Sequence, residues 1–379
     1  MTHPGATPRS TLHMLPVEEI PPVLSEVMDV RIALSRPNAA IFRGPLLTPP
    51  SRAYERLRRA FPEHSVILDE DPEVGARLAI IPNLSNSVAK AHPVVAVVLL
   101  LLTLVTTTVA GSIYAVDAVD GGTIAFLRGL PYALGLMAIL GVHEMGHYVA
   151  ARRHKMSVSL PYFIPAPSAL GTFGAFIRLK SPAPNRTALF DTAVSGPLAG
   201  LVVAIPVLVL GLRSSEITTT PLVPLETPLD FGQANINASL LLGILARLAL
   251  PAPLAADSVV LLSPLAFAGW LGLFVTALNL VPIGQLDGGH IIQAMFGRRI
   301  GEAIGSLATG LLLLIAIFFV PALLLWALIV LLIAGRPAPT LNDLTPISVG
   351  RRITGLGAIL LFLSIILPYP TVSLSDLTP

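Results

Sequence analysis

Residues 94–115 read VVAVVLLLLTLVTTTVAGSIYA, a run without a single charge. At about 1.5 Å per residue in a helix it is long enough to cross a bilayer core of about 30 Å. The rest of the chain agrees with that stretch. Of 379 residues, 54% are hydrophobic and 12% charged, and the mean hydropathy is +0.78. A soluble domain carries roughly 25% charge, so a disordered chain is excluded and a pair of ordinary soluble domains is disfavoured. The formal net charge of +2 gives no reason to expect a nucleic-acid partner. The absence of cysteine excludes disulfides, iron–sulfur clusters, thiol nucleophiles and Cys-type zinc sites. Any bound metal must be held by histidines and carboxylates.

Outward from 94–115, further apolar runs occur at about 126–150, 188–212, 259–283, 303–319, 321–335 and 353–368. The pair 303–319 and 321–335 reads as a hairpin, with one helix kinked at Pro321 as the alternative. Arg152, Arg153, His154 and Lys155 follow the second run, and Arg298 and Arg299 follow the fourth. By the bias of basic residues toward cytoplasmic loops, those ends and the N-terminal region are expected to be cytoplasmic. With no secretory or organelle leader legible at the start, and 21 Arg against three Lys suggesting a GC-rich genome, the expected setting is the cell membrane of a bacterium.

Residues 1–88 hold many of the charges. AIFRGPLL (40–47), SVILDED (65–71) and GARLAII (75–81) read as strands, and SRAYERLRRAF (51–61) as an amphipathic helix. The fold expected is an all-α polytopic membrane protein of about seven transmembrane helices. It carries a membrane-associated β-hairpin or re-entrant segment and a small soluble α+β domain at 1–88. The core is expected at 91–335, followed by a loop and a last transmembrane helix at 336–379.

The second run ends in GVHEMGHYVAARRHK (141–155). His143 and His147 are four apart, so one helix face presents both imidazoles to one metal ion. Glu144 is placed to reach a water on that metal, which zinc acidifies to a pKa near 7. Each ionisable group inside a membrane costs about 2.5–3.5 kcal/mol on insertion scales, and a metal gives three of them a reason to be there. Catalytic zinc usually has three protein ligands. The apt intramembrane candidate for the third is Asp287 in TALNLVPIGQLDGGHIIQAMF (276–296), expected at the same depth. Gly288 and Gly289 are read as giving the backbone freedom to bring it inward, and Pro282 as breaking a helix that lines a cavity. His290 reads as a residue supporting the site or starting a helix, with a ligand role as the alternative, and His154 reads as a loop residue. Gly196 and Gly200 in SGPLAG form a small-xxx-small pattern with a packing role.

HEMGH in one span and NLVPIGQLDGG in a later one resemble the site-2 protease family of intramembrane zinc metalloproteases. LGTFGAFIRLK and FDTAVSGPLAG resemble its cyanobacterial and plastid branch, the ethylene-dependent gravitropism-deficient type. The resemblance covers roughly 91–335. It implies one zinc per chain, Asp287 as the aspartate ligand, and Asn279 and Pro282 as the Asn-Pro pair beside substrate. The activity it implies is cleavage in or near the transmembrane helix of a single-span membrane protein. LPYFIPAPSALGTFGAFIRLK (160–180) is too broken for a helix, and alternation in Thr172, Phe173, Gly174, Ala175, Phe176 and Ile177 suggests an extended edge or hairpin dipping into the membrane, with Gly171, Thr172, Phe173 and Gly174 beside substrate; the alternative is a re-entrant loop that fills space. Such an edge can pair with the backbone of an unwound substrate. The competing readings are a prenyl-protein-type metalloprotease, which needs a glutamate ligand such as Glu302, a metal transporter, and a proteolytically inactive relative.

Overall fold

The structure is a computed structural model that describes residues 13–14, 21–36, 39–82, 93–114, 123–218, 233–235, 239–250, 259–319, 321–333, 335 and 339–368. In the N-terminal part the elements are β1 (His13–Met14), α1 (Pro22–Val27), β2 (Ile32–Arg36), β3 (Ala39–Gly44), α2 (Pro50–Ala60), β4 (His64–Asp71) and β5 (Gly75–Pro82). They form an antiparallel sheet of order β1-β2-β3-β5-β4. Alternation drives this: Val66 and Leu68 on β4 and Ala76, Leu78 and Ile80 on β5 are buried against Leu24, Val27, Tyr54 and Leu57 of the helices. The three expected strands and the helix lie within a residue or a few of β3, β4, β5 and α2. The strand β2 and the short α1 were not anticipated. Arg43 reaches Asp71 through Nε (2.6 Å) and Nη2 (3.0 Å). This guanidinium holds the Asp71 carboxyl well below the usual carboxylate range.

The membrane part contains α3 (Pro93–Ile113), α4 (Thr123–Arg128), α5 (Leu130–Arg153), β6 (Tyr162–Pro165), β7 (Thr172–Phe176), α6 (Arg186–Leu212) and β8 (Glu216–Thr218). Then come β9 (Gln233–Asn235), α7 (Leu240–Ala249), β10 (Val259–Leu261), α8 (Pro264–Leu280), α9 (Asp287–Phe296), α10 (Arg298–Phe318), α11 (Leu324–Ile333) and α12 (Val349–Ile366). Among the described residues, five helices are long and apolar enough to cross a membrane: α3, α5 with the end of α4, α6, α10 and α12. Their lipid-ready faces are plain, as in Val94, Leu101 and Leu102 on α3 and Leu307 and Phe318 on α10, all exposed. The expected run 259–283 is divided differently. Its first residues pair as β10 between β8 and β9, and Ser263 caps α8 by accepting from the Ala266 amide. Val330 of α11 packs on Ile283, and Gly305 of α10 lies beside the same Ile283. In a straight helix those two positions would be more than 30 Å apart, so the chain folds back at Pro321.

Helices α5, α6 and α8 form the centre of the bundle, around Tyr132, Leu136, Ile139, Leu208, Phe267 and Leu271. The hairpin β6–β7 runs antiparallel with an irregularity between Phe163 and Pro165. Its turn is tied to the bundle where Thr106 Oγ1, Tyr114 Oη and Tyr132 Oη donate to the carbonyls of Gly171, Ala169 and Leu170 at 2.6, 2.7 and 2.9 Å. The segment 339–345 lies against the free edge of β4, between the N-terminal sheet and the core. Leu68 N–H donates to Leu341 O, Asp343 N–H to Leu68 O, and Leu341 N–H to Ala183 O. Arg298 Nη1 adds an ion pair to Asp69 at 3.2 Å.

Candidate metal centre

Three electron-rich atoms converge where α5, α6 and α9 meet. His143 Nε2 and His147 Nε2 are 3.1 Å apart, and Asp287 Oδ2 lies 3.4 Å from the first and 3.3 Å from the second. Both imidazoles are buried, at 4% and 7% exposure. His147 Nδ1 is 2.7 Å from the Thr192 carbonyl, which can only accept, so Nδ1 carries a proton and Nε2 is the ring atom turned toward His143 and Asp287. Two ring nitrogens and a carboxylate oxygen at such spacing call for a cation between them. Zinc bonds of about 2.0–2.1 Å in tetrahedral geometry place neighbouring ligands about 3.3–3.4 Å apart. The triangle observed has those edges within a few tenths of an ångström. Among the described residues this trio forms the one group of three or more acidic or imidazole side chains with its ligand atoms so close.

Local sequence explains how the trio assembles. The spacing of four residues on α5 brings the two rings together edge to face, 4.8 Å between centroids and 72° between planes. On the facing helix α6, Thr192, Gly196 and Gly200 also repeat every four residues. A Cβ on Gly196 would overlap the His147 ring, and one on Gly200 would stand 3.1 Å from His143 Cβ. Their role is therefore larger than helix packing, since they make room for the imidazoles. Asp287 is delivered by a break. Helix α8 stops at Leu280, residues 281–286 turn sharply, and α9 begins at Asp287 itself. Gly288 serves a purpose other than the expected backbone freedom: a side chain there would collide with the Leu280 and Val281 carbonyls, so only glycine lets α9 start so tightly against the end of α8.

A cavity of about 650 Å³ opens onto the trio, lined also by Glu144, Ile177, Asn279, Gln285 and His290. Glu144 is 8% exposed and lines the cavity together with Ile177, just past β7. Asn279 Nδ2 is 3.3 Å from His143 Nε2. His290 Nδ1 is buried with no protein hydrogen-bond partner. Pro282 lies in the turn after α8 and is not among the residues that line the cavity. Of the hairpin residues, Phe173 is 74% exposed, Thr172 is buried with its hydroxyl donating to the Ile164 carbonyl, and Gly171 and Gly174 take positive φ values of 73° and 99°. Thr192, Gly196 and Gly200 are the site-shaping residues that sequence reasoning missed. His154, expected to be a plain loop residue, instead caps α5 and donates from Nε2 to Asp191 at 2.9 Å. Glu302 is paired with Arg298 at 3.0 Å and takes no part in the trio.

Comparison with known proteins places this geometry in context. The model of peptidase family M50 matches residues 131–323. The chain is 36% identical over 239 residues to the probable zinc metalloprotease EGY1, chloroplastic, of Arabidopsis thaliana, covering 62% of this chain and 42% of that one. It is 36% identical over 242 residues to the probable zinc metalloprotease EGY2, chloroplastic, of Oryza sativa subsp. indica, covering 64% and 43%. It is 32% identical to the probable zinc metallopeptidase EGY3, chloroplastic, of Arabidopsis thaliana, covering 60% and 40%. The chain thus spans about two fifths of the length of these relatives. No solved structure matches. The names correct the expectation of a bacterial cell membrane: these relatives are called chloroplastic. Loop charges report sidedness and arginine usage reports base composition, and neither identifies the membrane. The match spans more than half of the chain and takes in both imidazoles and the carboxylate, and the protein belongs to peptidase family M50.

Proposed function

We propose that this chain is an intramembrane zinc metalloprotease that hydrolyses a peptide bond in or near the transmembrane helix of a membrane-protein substrate. The observation that carries the reading is the triangle of His143, His147 and Asp287, whose edges of 3.1–3.4 Å suit one zinc ion. Relatives named as probable zinc metalloproteases support it. Zinc held there supplies Lewis acidity, polarising a carbonyl and lowering the pKa of water near it.

The chain's own residues do the rest. The Nδ1–H bond to Thr192 fixes the tautomer of His147 and aims its lone pair. Glu144, adjacent to His143 and facing the cavity, takes the proton from the attacking water and passes it to the departing amine. Ile177, just past β7, lines the same cavity, so the carboxylate stands beside the strand end where substrate would lie. Asn279 offers an amide donor at the cavity wall for a substrate carbonyl. A helical peptide bond is shielded by its own hydrogen bonds, so the scissile segment must unwind. The free edge of β7, with Phe173 exposed beside Gly171, Thr172 and Gly174, offers new main-chain partners to an unwound single-span substrate. We take residues 1–88 as a domain outside the bilayer, 91–335 as the protease core and 336–379 as a loop and final span. With α8 and the α10–α11 hairpin at membrane depth, the crossings number about seven.

A prenyl-protein-type protease is disfavoured, because its third ligand would be a glutamate and Glu302 is engaged with Arg298. A metal transporter is disfavoured because the polar groups gather at one place rather than along a path. The test is Glu144→Gln in the full chain: one zinc per chain should remain while cleavage of single-span membrane proteins stops. Cleavage at the wild-type rate would end the mechanism.

A further inference from the structure

The metal-centre reading leaves unexplained a buttress behind His147. The Thr192 carbonyl that receives His147 Nδ1–H also accepts from Ser195 Oγ at 2.8 Å. The residue before it, Asp191, is gripped from two sides. Arg351 of α12 makes a two-pronged contact, Nε to Oδ1 at 2.7 Å and Nη2 to Oδ2 at 2.8 Å. His154, the residue that caps the C-terminal end of α5, donates to Oδ2 at 2.9 Å. Paired guanidinium–carboxylate bonds are directional as well as strong, so Asp191 is held in place and in orientation. The packing beside it is equally close. A Cβ on Gly355, one turn along α12, would overlap Met295 of α9 and stand 3.1 Å from Phe190, the residue before Asp191. Yet α12 begins at Val349, beyond the end of the family match at residue 323.

We propose that Arg351 is a positioning residue for the metal centre. Through Asp191 it fixes the start of α6 so that the Thr192 carbonyl sets the tautomer and tilt of the His147 ring, which makes the C-terminal helix a working part of the site. A carbonyl displaced by a few tenths of an ångström changes the direction of the ring's lone pair. Outer partners of ligating histidines govern metal affinity for this reason. The inference rests on the metal-centre reading, and the experiment separates the two.

The full chain is purified in detergent as wild type and as Arg351→Ala, Arg351→Lys, Asp191→Asn and Ile353→Ala, the last an exposed neighbour on the same helix. Zinc affinity is measured by chelator competition, and the absorption spectrum is recorded after cobalt(II) substitution. Arg351→Ala and Asp191→Asn should weaken zinc by about 10–100-fold and shift the cobalt bands. Arg351→Lys keeps the charge without the fork and should fall between, with Ile353→Ala like wild type. Wild-type affinity and spectrum in Arg351→Ala overturn the inference. An equal loss in Ile353→Ala also overturns it, because helix packing alone would then be responsible. If Arg351→Ala fails to fold, Asp191→Asn and Arg351→Lys decide by the same criteria. A wild-type chain that binds no zinc defeats the metal-centre reading itself, whereas tight zinc in every variant defeats the buttress alone.

Discussion

Substituting Gly196 by alanine separates a packing role from a metal-site role. The added Cβ would stand 2.5 Å from His147 Cδ2 and closer to Cε1 and Nε2. Comfortable carbon contacts lie at about 3.5–4.0 Å, so about 1 Å or more must be found. The ring has little to give, because its Nδ1 is bonded to Thr192 O at 2.7 Å and its far edge faces Asp287 and His143. Metal sites tolerate ligand errors of about 0.2 Å, so the required movement exceeds tolerance several-fold. Zinc affinity should fall by at least about 100-fold, the upper end of what losing an outer partner costs. Gly200→Ala meets His143 Cβ at 3.1 Å, a gap closed by a few tenths of an ångström, and should cost far less. Gly310→Ala on α10 meets nothing within 4 Å and should gain up to about 1 kcal/mol from helix propensity. The assay is zinc competition in detergent with thermal melting as the control for folding. A folded Gly196→Ala protein that binds zinc like wild type would refute the reasoning.

Asp287→Ala should cut zinc occupancy measured by elemental analysis, while Glu302→Ala leaves it unchanged; the reverse order would favour the glutamate-ligand alternative. Glu144→Gln should lower turnover by about 10²–10⁴-fold with zinc content unaltered, and a parallel loss of zinc would show that Glu144 is a ligand instead. Gly174→Ala meets no atom but must hold φ near 99°, a local strain of about 1–2 kcal/mol. It should reduce kcat/KM for a membrane-protein substrate while zinc affinity stays constant. Asp71 is held below its ordinary pKa by Arg43, so its contribution to stability is complete above about pH 5 and declines as the pH falls further. Asp71→Asn should flatten the loss of melting temperature between pH 5 and pH 3, and an unchanged acid slope would remove that ion pair from the account.

The parts of the site that could be read from the sequence are those where a residue's chemistry conflicts with its surroundings. His143, Glu144 and His147 stand out because ionisable groups are costly in an apolar helix, and Asp287 because a carboxylate recurs at matching depth. The structure brings all four to one cavity. What escaped notice was carried by backbone atoms or by distant partners. The Thr192 carbonyl has no letter in the sequence. Gly196 and Gly200 carry a spacing that also fits ordinary helix packing, and only the facing rings reveal their second role. His154 seemed idle because its partner Asp191 lies on the next helix and the third member, Arg351, on the last. The same holds for the segment 339–345, whose pairing with Leu68 joins regions far apart in the chain and leaves no periodic trace. In the N-terminal part, alternation announced β4 and β5, whereas α1 is too short at six residues to show a helical period. The apolar run at 259–283 gave no sign that Ser263 would start the helix late and that 259–261 would pair as a strand.

X-ray absorption at the zinc edge on the purified full chain addresses the central claim most directly. The account predicts one zinc per chain with two imidazole nitrogens and a carboxylate oxygen at about 2.0–2.2 Å, and a changed first shell in Asp287→Ala. A zinc-free protein, or a first shell indifferent to the loss of Asp287, would contradict it.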